Sequence, residues 1–219
     1  MKNLLAIAIA LVVFGGSVFA EGYRMHSSKS VISPKRVIGP PAPEEPCFTY
    51  DFIDLGYVYR NQGPFWAEDG HGGGIDFSYG IAGPLYLTAS YDYLDTKYEF
   101  GWRPGGTTQN VAAGLGIYHE VAECLHFTLE GGALYSDIEI DHVATHEDWG
   151  WYVGPGVRAK FIKGVEIFGN VYYGEIRDDE GWSYNTGLVI DVTHNVALKL
   201  AGSFDDDAET YFAGLRFNF

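Results

Sequence analysis

Ten stretches of alternating residues, each keeping its charges off one face, constrain this chain more than any other feature. From Phe48 onward, apolar side chains recur at every second position for about ten residues at a time, and a turn or loop follows. The segments run Phe48–Arg60, Gly73–Ala82, Leu85–Leu94, Asn110–His119, Leu125–Ser136, Gly150–Ile162, Val165–Gly174, Ser183–Val192, Val196–Phe204 and Thr210–Phe219. A period of two belongs to strands whose two faces meet different surroundings. Long connections follow the first, third and fifth segments (Asn61–Gly72, Asp95–Gln109, Asp137–Trp149), and medium ones follow the seventh and ninth (Glu175–Trp182, Asp205–Glu209). The others are tight, as at Ala82-Gly83-Pro84, Lys163-Gly164 and Thr193-His194-Asn195. Short turns at one end and long loops at the other predict an all-β fold, an up-and-down antiparallel barrel with both termini at the short-turn end. The strand count is ten, or eight if the eighth and ninth segments are misread.

The charges decide which face meets what. The apolar face carries no Asp, Glu, Lys or Arg. The opposite face carries Asp54, Arg60, Asp76, Asp92, Glu130, Arg158, Lys160, Glu166, Asp191, Lys199 and Arg216. A water-soluble barrel would turn the apolar face inward, and a ten-stranded interior is too narrow for that many Tyr, Trp, Phe and Leu side chains. With the apolar face on lipid, the other face, rich in glycine, leaves room for a lumen network of six acids and five bases. Tyr57, Tyr59, Tyr91, Tyr93, Tyr135, Tyr173 and Tyr184 then fall near strand ends on the lipid side, as an aromatic belt does. Closure pairs every backbone group, which a bilayer requires. Pro155, inside the sixth segment, removes a ladder donor, so a bulge is expected there.

Two segments precede the barrel. Residues 1–20 read as a secretory signal peptide: Lys2, an apolar run from Leu4 to Phe14, and Val18-Phe19-Ala20 at the cleavage positions. An uncleaved anchor is the other option, although the run is short for a spanning helix. Residues 21–46 hold five prolines and four basic residues without periodicity, and read as a disordered arm. The barrel domain is 47–219. Its two cysteines, Cys47 before the first strand and Cys124 in the turn between the fourth and fifth, both fall at the short-turn end. We expect a disulfide that draws the arm across the barrel mouth; two separate thiols are the other outcome.

The formal charge of −15 becomes −16 once Lys2 leaves with the signal, and the long and medium loops together hold −14 of it. That acidity excludes a nucleic-acid partner. The run Asp205, Asp206, Asp207 and Glu209 offers the carboxylate oxygens Ca²⁺ prefers, without the spacing or glycine of a dedicated calcium loop. His142 and His146, beside Asp141, Glu147 and Asp148, are of types that suit Zn²⁺, but a loop does not fix its geometry. No cofactor is expected.

The tail carries a resemblance. Tyr211-Phe212-Ala213-Gly214-Leu215-Arg216-Phe217-Asn218-Phe219 resembles the signal by which outer-membrane barrels are handed to the β-barrel assembly machinery, with Tyr211, Gly214, Leu215, Phe217 and Phe219 at the matching positions. Phe212 stands where a polar residue is usual. Over Phe48–Phe219 the chain is thus similar to small Gram-negative outer-membrane β-barrel proteins of the OmpA-like and opacity-like kind. The resemblance implies a bacterial outer-membrane location, periplasmic termini, outer-membrane lipid and lipopolysaccharide as surroundings, and a monomer. It leaves activity open. A structural or interaction role through the acidic loops is the first expectation. A narrow porin-like channel and a lipid-modifying enzyme are the alternatives. The His-Ser pair of barrel deacylases and the rim His with carboxylates of barrel proteases are both missing from the sequence as motifs.

Overall fold

The computed structural model describes residues 47–62, 69–97, 105–140, 144–176, 179–206 and 208–219. The signal and arm readings (1–46), and Asp141, His142 and Asp207 among the candidate ligands, lie outside the described residues.

The described chain closes into one antiparallel barrel of ten strands: β1 (Phe52–Gln62), β2 (Gly70–Ala82), β3 (Leu85–Lys97), β4 (Gly105–Ala122), β5 (Leu125–Ile140), β6 (Ala144–Ile162), β7 (Val165–Ile176), β8 (Asp179–Asp191), β9 (Val196–Phe204) and β10 (Ala208–Asn218). The eight-strand option is ruled out, because β8 and β9 are separate strands paired from Tyr184↔Phe204 to Asp191↔Ala197. The ring closes where β10 meets β1, in continuous register from Phe52↔Asn218 to Gln62↔Ala208. That seam is tight at Gly56↔Gly214, where a Cβ on either glycine would press on the other strand's backbone.

The alternation predicts the faces seen. Outward positions remain exposed although they are large and apolar, as with Phe127 at 52 % and Leu115 at 50 %, while inward Asp54 is 0 % exposed. An apolar exterior around a charged interior is stable only with lipid outside, so this is a transmembrane barrel. No helix among the described residues is long and apolar enough to cross a membrane; the strands do the crossing.

Three tight turns share one device. The ladders slip by one residue at Gly80/Ala82, Glu120/Ala122 and Ala159/Ile162, just before each reversal. Each turn holds one residue in the left-handed region: Gly83 (φ 55°), Cys124 (φ 69°) and Gly164 (φ 79°).

Four expectations need correction. Residues 48–51 do not open the first strand, which starts at Phe52. Much of the second and third long loops is strand, since β4, β5 and β6 run 18, 16 and 19 residues. Pro155 causes no bulge: it pairs with Leu129, and the β6–β7 register is unchanged between Val153↔Tyr173 and Gly156↔Asn170. The ladder partners toward β7 skip Gly154 and Pro155, so the lost donor is absorbed without a shift. Finally, Lys160 and Asp191 pair with each other at 3.3 Å near the short turns, apart from the central network.

Candidate functional site: a charged lumen with a plugged mouth

The inward faces of β1, β2, β6, β7, β9 and β10 bring six predicted charges into one network. Asp54 accepts two hydrogen bonds from Arg216, Nε at 2.7 Å and Nη2 at 2.9 Å, and a third from Lys199 Nζ at 2.7 Å. Lys199 reaches on to Asp76 at 2.5 Å. Arg158 grips Glu166 at 2.6 and 3.0 Å, and Arg216 lies 4.0 Å from Glu166, joining the two groups. Three acids therefore face three bases. Burying such ions is tolerable only with this degree of pairing and hydrogen bonding. Asp54 and Arg216 are directly opposite across the β1–β10 seam, so the network also fastens the ring.

The other lumen charges lie apart from it. Arg60 donates to Thr210 Oγ1 at 3.0 Å near the loop end. Asp92 stands in the field of Asp76, Arg60 and Lys199. Glu130 accepts from the hydroxyls of Tyr86 at 2.7 Å and Tyr172 at 2.6 Å. Between these groups lies a cavity of about 380 Å³, with Glu130, Tyr152, Asn185 and Lys199 in its wall and Tyr50 and Phe52 at the short-turn side.

Residues 47–51 close that side. Phe48 and Tyr50 are buried with Tyr86 in an aromatic cluster, against which Cys47, Tyr118 and Cys124 pack. Tyr50 stacks on Tyr118 (centroids 4.4 Å, planes 6° apart), and Tyr118 on His126 (4.9 Å, 5°). The Tyr50 hydroxyl lies 3.1 Å from His126 Nδ1. The Arg158 guanidinium sits 4.6 Å from the Tyr50 ring centre and 5.0 Å from that of Phe48, and donates to the Thr49 carbonyl at 3.2 Å. Asp51 takes the Gly80 N–H at 2.7 Å, and its carbonyl receives the N–H of Phe219. A Cys47–Cys124 disulfide, with Cα atoms 5.2 Å apart, ties the segment to the β4–β5 turn. Burial pushes the Tyr50 phenol up to about 12, against a smaller opposing pull from Arg158. The alternation hid this plug, because Phe48 and Tyr50 extend the first segment's apolar pattern. The cysteine positions were the one available signal.

The loop end is built differently. Aromatic donors on the outside take carboxylates just beyond them: Tyr59 to Asp69 at 2.5 Å, Tyr211 to Glu209 at 2.9 Å, Trp151 to Glu175 at 3.2 Å, and Tyr173 to Glu180. Such rings suit a boundary that is apolar below and wet above. Of the calcium candidates, Asp205 caps the β9–β10 hairpin, its Oδ1 accepting from Ala208 N at 2.6 Å, while Asp206 is exposed beside it. His146 is on β6 opposite Ile138, and Glu147 opposes Asp137. Among the described residues no three His, Cys, Asp or Glu side chains gather as a metal site would need. Of the tail residues, Tyr211, Leu215, Phe217 and Phe219 face outward, and Gly214 lies at the seam.

Neither a family model nor a curated protein matches the sequence. Solved structures match the barrel. The NanC porin is 10 % identical, with 77 % of this chain and 100 % of that one covered and a TM-score of 0.50. The KdgM porin in complex with disordered oligogalacturonate is 15 % identical over 77 % and 99 %, with a TM-score of 0.47. The outer membrane protein OprG from Pseudomonas aeruginosa is 10 % identical over 80 % and 99 %, also with 0.47. At such identities the likeness is one of fold: a closed antiparallel barrel of the outer-membrane type.

Proposed function

We propose that this chain is a bacterial outer-membrane barrel closed at its periplasmic mouth, acting as a structural and surface-interaction protein through its acidic loop end. One observation carries the reading: the Phe48–Tyr50 plug, bonded to the wall through Arg158, Asp51 and the Cys47–Cys124 bridge. A solute path would have to displace both this plug and the ion-pair network above it. The aromatic–carboxylate collar supports a loop end lying at lipopolysaccharide headgroups, an anionic layer held by divalent cations with which acidic loops can share ligands. No enzymatic step is assigned to the lumen. Current through refolded protein in a planar bilayer tests the proposal. We expect no steady openings; sustained nanosiemens steps would sink it. A narrow channel is the second reading, favoured by the polar cavity of about 380 Å³.

A further inference from the structure

Two lumen acids, Asp92 and Glu130, have no ion-pair partner among the described residues, and of these Asp92 stands in the field of Arg60 and Lys199. The three acids Asp54, Asp76 and Glu166 are matched by Arg158, Lys199 and Arg216, and Lys160 has Asp191. Glu130 instead has two neutral phenols, one on each oxygen. An ionised carboxylate accepts on both oxygens in this way, and each phenol occupies only one of the positions available there.

The wall is shaped for this arrangement. Tyr86 pairs with Gly116 on β4, and Gly116 with Glu130 on β5. On the other side Glu130 pairs with Gly154 on β6, beside Tyr172 of β7. Each tyrosine lies flat across a glycine to reach the central carboxylate. A Cβ at Gly116 would lie 2.2 Å from Tyr86 Cζ, and one at Gly154 would meet Tyr172 Cδ1 at 2.7 Å. One row over, Tyr152 crosses Gly132 and Gly114 toward Thr88, its hydroxyl 3.5 Å from Thr88 Oγ1. Tyr152 and Tyr172 meet edge to face at 5.4 Å. A carboxylate is thus presented to the cavity among three aromatic rings. A second observation points the same way: Asn185 Oδ1, in the wall of that cavity, is buried without a protein hydrogen-bond partner. An acceptor left open in the same cavity as a carboxylate without an ion-pair partner calls for a donor that carries positive charge.

We propose that the Tyr86–Glu130–Tyr172 row is a binding site for a small organic cation bearing N–H donors, of the primary alkylammonium class. The ammonium would pair with Glu130 and rest against the tyrosine rings, whose faces attract cations. The site does not depend on whether the lumen conducts, and conductance does not test it.

Wild-type protein and Glu130→Gln are refolded from urea into detergent micelles with butylammonium present, so that passage through either mouth is not needed. The urea midpoint is then followed by tyrosine fluorescence, since a ligand bound to the folded state alone raises it. We expect a saturable rise for the wild type with butylammonium, none with 1-butanol, and none with sodium at equal ionic strength. Glu130→Gln should need at least about tenfold more butylammonium for the same rise. Tyr172→Phe, which keeps the charge, should stay within about threefold of wild type. An absent rise, a rise matched by butanol or sodium, or equal responses from wild type and Glu130→Gln overturns the site. Should Glu130→Gln not refold, the wild-type comparison of butylammonium with butanol and sodium decides.

Discussion

Asp54 is the point where Arg216 and Lys199 meet in the lumen network. Asp54→Asn would leave Arg216 only its 4.0 Å contact with Glu166 and Lys199 only Asp76, and breaking such a network by one partner costs about 3–5 kcal/mol. The urea midpoint of refolded protein should fall accordingly, while the smaller change Arg60→Gln, which removes a bond to Thr210, should cost about 1 kcal/mol. Tyr50 gives a pH prediction. Its phenol is pushed up to about 12 by burial, above the value near 10 of an unfolded chain. A group raised in this way contributes stability that is complete below about pH 10 and is lost as the pH climbs through about 12. Tyr50→Phe should remove that alkaline loss, read as the difference in tyrosinate absorbance and unfolding between the two proteins. Cys124 is the residue-scale oddity: it keeps a left-handed turn position where the β6–β7 turn has Gly164. A side chain there costs about 1 kcal/mol, and the bridge to Cys47 is the compensating gain.

At the scale of elements, the plug and the long β5–β6 hairpin make separate predictions. Replacing both cysteines by serine leaves the aromatic stacking but frees the plug's anchor across a sequence separation of 77. We expect a loss of about 2–4 kcal/mol, faster proteolysis at residues 47–51, and brief small openings in a planar bilayer where the wild type is silent. In the hairpin, Asp137 directly opposes Glu147. Like charges so placed are destabilising, and Glu147→Lys should stabilise the extension by about 0.2–1 kcal/mol, read as slower amide exchange there. These two elements also mark how far the sequence was legible. Apolar outward positions mark only the part of a strand that meets lipid, so the strand centres could be read and their outer ends could not. Beyond the aromatic collar the alternation inverts: Asp137, Glu139 and Glu147 take the outward positions, and Ile138 and Ile140 fall on the other face. The plug's aromatic residues were hidden for the opposite reason: Phe48 and Tyr50 match the strand pattern while serving as lumen filling, and the expected Cys47–Cys124 bridge was what pointed to the mouth. The lumen charges were legible as a set, but their partners depend on register, and the Tyr–Gly–Glu–Gly–Tyr row exists only across five strands.

For the whole molecule, the exterior predicts behaviour that no soluble barrel shares. Trp149 at 72 % exposure and Ile162 at 68 % would drive association in water. The refolded protein should need detergent or lipid to stay dispersed, and its compact form should migrate faster than the heat-denatured chain on a detergent gel. Equal migration before and after boiling would contradict a closed ring. The network at Asp54 and Arg216 predicts that this compact form softens in acid once the carboxylates protonate, with the seam giving way before the hairpins.

The seam itself has one more consequence. Nine of the ten ladders join neighbours in sequence, and each can zip locally; the tenth joins β1 to β10, at the two ends of the barrel sequence. Until β10 arrives, the growing sheet carries two bare edges, each a template for a stranger's strand. Closure is therefore a single late event that converts an open ribbon into an object without an edge.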